Sequence, residues 1–190
     1  DAQRIYYAGQ SFGGIYGTIF LGVEPSLKAG VPNVPGGSIT EIARLGAFRP
    51  LTGIALISRL PSLINVSPNP SGIEFNENMP LRNEPPRINN VAGAMAIQQL
   101  LDRNEWVQQS GNPVSYAERI RKNPLPGHAA KPVLIQFAKG DVTVPNPTST
   151  AIIRAGDLAD RAVYFRNDLA VAADATVPKN PHTFLSNLTI

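Results

Sequence analysis

The sequence Gly-Gln-Ser-Phe-Gly at positions 9–13 constrains the fold more than any other feature of this chain. It follows a short run of β-forming residues at 5–8 and leads into an apolar, glycine-rich stretch that is too long for another strand. This pattern predicts a strand, a sharp turn and a helix. In that context a G-x-S-x-G sequence holds its serine on a strained turn with the hydroxyl exposed. Ser11 is therefore the candidate nucleophile, and the alternative is a glycine-rich turn with a solvent-facing serine.

A serine hydroxyl needs a histidine to remove its proton, and the chain contains two histidines. His182 lies in a predicted loop after the last predicted strand, whereas His128 precedes a predicted strand. When serine, acid and histidine follow one another along the chain after such a turn, the histidine belongs to the loop after the final strand. This order favours His182 as the base, and the alternative for His128 is a surface loop histidine.

The candidate acid is Asp141, which follows a nearly continuous apolar run at 132–137. Such a run is typical of a strand buried on both faces, and the last predicted strand follows it at 162–165. Asp141 thus lies just past the carboxyl end of the strand before the last, where the triad order requires an acid. The alternatives are Asp157 and Asp160, which flank a predicted helix end, and Asp168 and Asp174, which lie on the stretch leading to His182.

Four further positions are expected to act on the substrate. The helix that opens at Phe12 points its first amides toward the developing oxyanion, so the N–H of Phe12 is the predicted oxyanion donor. Gln10, Ile54 and Ile57 are expected to contact the substrate. We expect no cofactor and no metal: the chain has no cysteine, which excludes a thiolate metal site, a thiol nucleophile and a disulfide scaffold.

Three motifs carry a resemblance to a known family: Gly-Gln-Ser-Phe-Gly-Gly at 9–14, Lys-Gly-Asp-x-x-Val-Pro at 139–145 and Pro-His-Thr-Phe at 181–184. Together they resemble the α/β-hydrolase superfamily and, more narrowly, large bacterial lipases and esterases of the virulence-factor lipase type. The resemblance implies an α/β fold with a mostly parallel sheet and a triad of Ser11, Asp141 and His182. It also implies attack on a carboxylic ester through an acyl-enzyme.

The chain is expected to divide into three parts. Residues 1–37 form the strand, turn and helix of the nucleophile with one further strand, residues 38–125 form a helical cap, and residues 126–190 carry the acid and the histidine. Ser38 stands three residues before Glu41, the spacing of a helix-capping box, so the first cap helix should begin there. The strongly apolar cap sequence suits a hydrophobic acyl-ester substrate, although each of its apolar residues could equally pack the cap onto the sheet.

The departure from the family pattern gives a further expectation. The fold places four strands before the nucleophile turn, whereas about eight residues precede Ser11 here. We therefore expect the N-terminal half of the fold, with the second oxyanion donor, to come from the same polypeptide or from an associated chain. The strand at 5–8 would otherwise present an open edge. The chain alone is then expected to be inactive or to dimerise through that edge.

The composition argues against nucleic acid as a partner and against a membrane span. The net charge is +3 with basic residues mostly scattered singly, which gives no footprint for nucleic acid. No apolar run reaches the roughly 18 to 20 residues of a membrane span. The charged fraction of 16% is below the roughly 25% typical of soluble domains, which suggests that part of the surface is covered. A serine peptidase or amidase of the same fold and a non-catalytic hydrolase-like module remain the alternative functions.

Overall fold

A parallel β-sheet forms the centre of the computed structural model, which describes residues 1, 3–67, 69–70, 72–79, 85 and 88–187. Among these residues the sheet has four strands in the order β1-β2-β3-β4, and every neighbouring pair is parallel. The predicted α/β class, with a parallel sheet that starts at the nucleophile strand, is confirmed. The strands are β1 (Ile5–Gln10), β2 (Leu27–Asn33), β3 (Ile135–Ala138) and β4 (Ala162–Phe165).

The third strand is shorter than the apolar run at 132–137 predicts. Pro132 has no N–H to donate, and its carbonyl oxygen accepts a hydrogen bond from Gly30. Val133 makes an isolated bridge to the same glycine, so regular pairing begins at Ile135. The further strand expected within residues 1–37 is β2, which begins at Leu27.

One face of the sheet is covered by three helices: α1 (Phe12–Val23), α5 (Val114–Ile120) and α6 (Asn146–Gly156). The main core lies between these helices and the strands. Its buried members are Leu21, Leu27, Ile120, Val133, Ile135, Phe137, Ile153 and Leu158.

The opposite face of the sheet is covered only in part by the described residues. At the carboxyl ends of the strands, Phe184 stacks on Phe165 and packs against Val34. Toward the amino ends, Tyr6 is 65% exposed and Val163 is 46% exposed. Parallel sheets are normally buried on both faces, so this is an unusually open surface. The outer edge of β1 likewise has no strand partner among the described residues.

Between β2 and β3, the described residues form α2 (Ile39–Leu45), α3 (Arg49–Ile57) and α4 (Ala94–Gln108) in addition to α5. The predicted helix start at Ser38 is confirmed, because the Ser38 hydroxyl accepts the Glu41 N–H at 3.1 Å. Helices α3 and α4 share a small core of their own. Its buried members are Leu56, Phe75, Ile97 and Leu101.

A buried carboxylate fixes the position of α3. Both oxygens of Glu77 accept hydrogen bonds from the Arg49 guanidinium, at 2.9 and 2.7 Å, and Arg44 adds a third at 3.3 Å. The Arg49 guanidinium also lies 3.8 Å from the centre of the Phe75 ring. Helix α3 is thereby tied to the loop that carries Glu77.

Helix α5 lies within the predicted cap range of 38–125 but packs on the sheet layer. Its Ile120 belongs to the main core, and the helix contacts both α1 and α6. Within that range, α3 and α4 share a core of their own, whereas Ile42 of α2 packs against Ile15 of α1 and Val144. A further helix, α7 (Asn167–Ala173), follows β4. None of the described helices combines the length and the apolar character that crossing a bilayer requires.

Candidate active site

The turn after β1 places Ser11 in a strained backbone conformation. Its φ angle is 56°, in the left-handed region that side chains with a Cβ rarely adopt, and its N–H donates to the Asn33 carbonyl at 2.9 Å. A Cβ at Gly9 would lie 2.6 Å from the Gly13 carbonyl oxygen, and one at Gly14 would lie 2.6 Å from the Asn33 carbonyl oxygen. Glycine is thus required at 9 and 14, where strand, turn and helix approach most closely.

The structure brings Ser11, His182 and Asp141 together in one hydrogen-bonded chain. The Ser11 hydroxyl lies 2.8 Å from His182 Nε2, and His182 Nδ1 lies 2.8 Å from Asp141 Oδ2. Because an ionised carboxylate can only accept hydrogen bonds, Nδ1 carries the proton in this pair and Nε2 is left to accept from the serine. This geometry allows the serine proton to pass to the imidazole.

The Asp141 carboxylate is held in one orientation. Its Oδ1 accepts the N–H groups of Thr143 and Val144 at 2.8 and 2.9 Å, which leaves Oδ2 for His182. The Asp141 side chain is 1% exposed and that of His182 is 13% exposed. In so dry a site the hydrogen bonds are stronger than in water, and their geometry is correspondingly fixed.

The loop that carries His182 is tied to its surroundings by three amide side chains. Gln10 donates from Nε2 to the His182 carbonyl oxygen at 3.1 Å. Asn180 accepts the Val142 N–H at 3.3 Å and donates to the Thr143 hydroxyl at 3.0 Å, which joins the histidine loop to the acid loop. The buried Asn167 donates to the carbonyl oxygens of the 178–179 segment.

These ties were not predicted from the sequence. Gln10 donates a hydrogen bond to the His182 main chain, and its contact with the substrate stays a prediction. The position of Asn180, two residues before the candidate base, is the one sequence feature that could have pointed to its role. Its hydrogen-bond partner, Thr143, lies 37 residues earlier in the chain. A contact of that separation has no periodicity or motif that reveals it.

The first amides of α1 face the carboxyl edge of the sheet, beside Ser11. The first helical hydrogen bond runs from Ile15 N–H to the Ser11 carbonyl at 2.9 Å. The N–H groups of Phe12, Gly13 and Gly14 precede it and are not used within the helix. The Phe12 N–H, directly after Ser11, is therefore available as a donor beside the serine hydroxyl.

The alternative base lies elsewhere in the structure. His128 occupies a turn before β3, near Glu24 and Lys131 at the amino ends of the strands, whereas Ser11 lies at their carboxyl ends. Lys131 itself is buried, and burial lowers the pKa of its ammonium group.

The four alternative acids lie in other surroundings, and the side chains of Asp160, Asp168 and Asp174 have partners of their own. Asp157 caps the end of α6, and Asp174 accepts from Thr176. Hydrogen bonds from Arg166 and Lys139 lower the pKa of the Asp168 carboxyl well below its ordinary value, and a hydrogen bond from Arg121 lowers the pKa of Asp160. Asp141 is thus the acid that the fold places against His182.

Ile54 and Ile57 lie on the outer side of α3, where they are 48% and 38% exposed. The link between α2 and α3 contacts the loop that carries Asp141, because the Ala47 N–H donates to the Val142 carbonyl at 2.7 Å. The contact of the two isoleucines with a substrate stays a prediction. In the part of the chain that the structure describes, no cluster of three or more His, Cys, Asp or Glu side chains is arranged to hold a metal ion.

Comparison with known proteins gives structural neighbours alone. The sequence matches no protein-family model, and a search of curated proteins finds no match. An acylaminoacyl peptidase from Pyrococcus horikoshii superposes with a TM-score of 0.49 at 13% identity, over 98% of this chain and 22% of that one. A puromycin-hydrolyzing peptidase from Mycobacterium tuberculosis gives 0.45 at 18% identity, over 87% of this chain and 18% of that one.

A lipase is also among the neighbours. The monoacylglycerol lipase of Paleococcus ferrophilus superposes with a TM-score of 0.40 at 16% identity, over 86% of this chain and 58% of that one. The chain therefore spans about a fifth of the length of the two peptidases and somewhat more than half of the lipase. Both peptidases and lipases occur among proteins of similar structure.

Proposed function

We propose that this chain carries the catalytic residues of a serine hydrolase that cleaves carboxylic esters, an esterase or lipase. The observation that supports this proposal is the hydrogen-bonded chain from Ser11 through His182 to the buried Asp141, built on a strained turn between strand and helix. A serine on an ordinary surface turn has no reason to adopt a positive φ angle against two close-packed glycines.

The acylation step follows from the positions of the protons. His182 Nε2 removes the Ser11 proton as Oγ bonds to the ester carbonyl carbon, and Asp141 stabilises the imidazolium that forms. The C–O bond to the alcohol then breaks, and the imidazolium returns the proton to the leaving oxygen. Water attacks the acyl-enzyme with His182 again as base, which releases the acid and restores Ser11.

The negative oxygen of the tetrahedral intermediate needs at least one fixed donor. We assign this role to the Phe12 N–H, whose helix also directs its positive end toward Ser11. We propose that a second donor comes from a segment that pairs with the open edge of β1, either in the same polypeptide or in an associated chain. Its absence would leave the intermediate less stable by roughly 3 to 4 kcal/mol, the cost of removing one such donor.

A hydrophobic acyl group is the substrate class that fits the surroundings of Ser11. Phe12 and Val142, each one position from a triad residue, are both exposed and apolar. We propose that they contact the acyl chain and that Ile54 and Ile57 extend this apolar surface along α3. Gln10 acts on the substrate indirectly, by positioning the His182 loop.

The experiment that tests the proposal is labelling by a fluorophosphonate combined with ester turnover. The chain, together with any segment that covers β1, should be labelled at Ser11 and should hydrolyse p-nitrophenyl esters faster than aminoacyl p-nitroanilides. The matched control is Ser11→Ala, which keeps the fold and should abolish both signals. Faster cleavage of the anilides would assign the site to a peptidase, and an unlabelled Ser11 with β1 covered would remove the enzyme proposal.

A further inference from the structure

An apolar groove of about 360 Å³ lies between α2, α3 and α4, and none of the triad residues lines it. Its walls are formed mainly by Leu51, Ala55 and Leu56 of α3 and by Leu100 and Leu101 of α4. The volume falls within the roughly 300 to 1,000 Å³ of pockets that bind small molecules.

Helix α3 is apolar on the side that faces the solvent as well as on the side that faces the protein. Gly53 and Leu56 are buried, while Leu51 on the groove side is 60% exposed. A helix of a soluble protein normally carries polar residues on its solvent side, and one that is apolar all round is normally buried. The exposed side of α3 therefore has the composition of a surface that binds something apolar.

The uncharged polar side chains of the groove are bonded to neighbours. Asn104 donates to the Thr40 hydroxyl at 3.0 Å, and the Thr52 hydroxyl donates to the Ala43 carbonyl at 3.3 Å. These bonds reduce the capacity of the walls to bind a polar ligand, so the body of the groove suits an alkyl chain.

One end of the groove carries a free positive charge. Arg59 lines the groove one turn beyond Ala55, is exposed, and makes no hydrogen bond or ion pair within the described residues. The two preceding arginines, Arg44 and Arg49, are paired with Glu77. Residues 42–73 contain no acidic residue, so nothing nearby in the sequence offsets the charge of Arg59.

We propose that this groove binds a single amphiphile with an alkyl chain of medium length and an anionic head, such as a fatty-acid carboxylate. The alkyl chain lies against Leu51, Ala55 and Leu101, and the carboxylate pairs with the Arg59 guanidinium, whose fork of donors matches it. The site lies outside the triad, so binding does not require the proposed ester hydrolysis. If both proposals hold, the groove binds the class of acid that the reaction releases.

The test uses decanoate below its micelle concentration, titrated by calorimetry into the Ser11→Ala chain. This variant removes turnover, so the result does not depend on the proposed function. Binding at one site per chain is expected, weakening by up to about fourfold for each methylene removed from the probe. Decyltrimethylammonium, with the same chain and the opposite charge, should bind at least about tenfold more weakly.

Two matched substitutions locate the site. Ala55→Trp fills the groove and should abolish binding, whereas Ser58→Trp, at the exposed C-cap of the same helix and outside the groove, should leave it unchanged. Arg59→Gln should lower the affinity for decanoate about tenfold and remove the preference over decyltrimethylammonium. If Ala55→Trp does not fold, changes in the NMR methyl signals of Leu100 and Leu101 on adding decanoate to the Ser11→Ala chain replace it.

Three results would overturn the proposal: binding that Ala55→Trp does not affect, binding that appears only with micelles, or equal affinity for both head groups. The first would place the amphiphile at another site, and the second would reduce the effect to adsorption on an aggregate. The third would mean that Arg59 takes no part.

Discussion

Replacement of Asp141 by asparagine isolates the role of the acid, because the structure dictates which way the amide must point. In the native chain Oδ1 accepts the N–H groups of Thr143 and Val144, while Oδ2 faces His182 Nδ1. The asparagine must keep its carbonyl oxygen toward the two N–H donors, so its NH₂ group faces Nδ1. Nδ1 then has to accept, the imidazole proton moves to Nε2, and the proton of Ser11 has no acceptor.

The size of the effect follows from the cost of the opposite orientation. Turning the amide would place its NH₂ group against two main-chain donors and leave both buried and unpaired, at about 1–3 kcal/mol each. The productive tautomer is therefore disfavoured by about 2–6 kcal/mol, which corresponds to a loss of about 30-fold to about 10⁴-fold in turnover. Folding stability should change by less than about 1 kcal/mol, because the two main-chain hydrogen bonds survive.

Two measurements check this prediction. Nitrogen-15 NMR of His182 should show the proton on Nδ1 in the native chain and on Nε2 in Asp141→Asn, and this readout does not require activity. Turnover of a p-nitrophenyl ester should fall by the factor given above. The control is Asp168→Asn, which removes a partly exposed acid paired with Arg166 and Lys139 and should change neither signal. An Asp141→Asn chain with protonated Nδ1 and turnover within threefold of native would refute the reasoning.

Three further predictions concern the supports of the site. Gln10→Ala should lower kcat by about two- to tenfold with little change in KM, because it removes one hydrogen bond that positions the His182 loop; an equal rise in KM would instead indicate substrate binding. Glu77→Gln should destabilise the fold by about 2–3 kcal/mol in urea unfolding, less than the roughly 3–5 kcal/mol of a fully buried pair because the Arg49 side chain is 36% exposed. Burial would raise the pKa of Glu77, but the hydrogen bonds and charge of Arg49, together with the hydrogen bond from Arg44, outweigh it and hold the pKa below the ordinary 4.5. The native chain should therefore lose this stability as the pH falls below about 4.5 while Glu77→Gln does not; identical acid profiles would contradict this prediction. Without a segment that covers β1, the chain should be inactive toward esters at micromolar concentration or should sediment as a dimer, and rapid turnover by a monomer would exclude this.

The site could be predicted from the sequence because each of its parts depends on local pattern. A short strand, two glycines and an apolar helix specify the turn at Ser11 with no reference to distant residues. The order of serine, acid and histidine then selects Asp141 and His182, since parallel strands place their carboxyl ends at one edge of the sheet. The structure places these three side chains within hydrogen-bonding distance.

The contacts that hold the site in place could not be predicted in this way. The hydrogen bond of Gln10 joins residues 172 positions apart, and that of Asn180 crosses between two loops. Each depends on the final placement of a loop, which no periodicity encodes. The assignment of α5 to the sheet layer has a similar cause: its buried residues, Ala117 and Ile120, have the same helical spacing whether they face the sheet or a cap.

The open surfaces of this chain differ in the kind of partner they can satisfy, and this separates the two proposals experimentally. The edge of β1 presents unpaired main-chain groups beside Tyr6, so it requires a partner that supplies backbone hydrogen bonds as well as apolar contact. The groove of α3 presents apolar side chains and one guanidinium, Arg59, which an amphiphile can satisfy without any backbone pairing. Covering β1 should therefore raise turnover at Ser11 and leave decanoate binding unchanged, whereas Ala55→Trp should abolish decanoate binding and leave the reaction of Ser11 with a fluorophosphonate unchanged. A perturbation of either surface that moved both signals together would mean that the groove and the triad form one site.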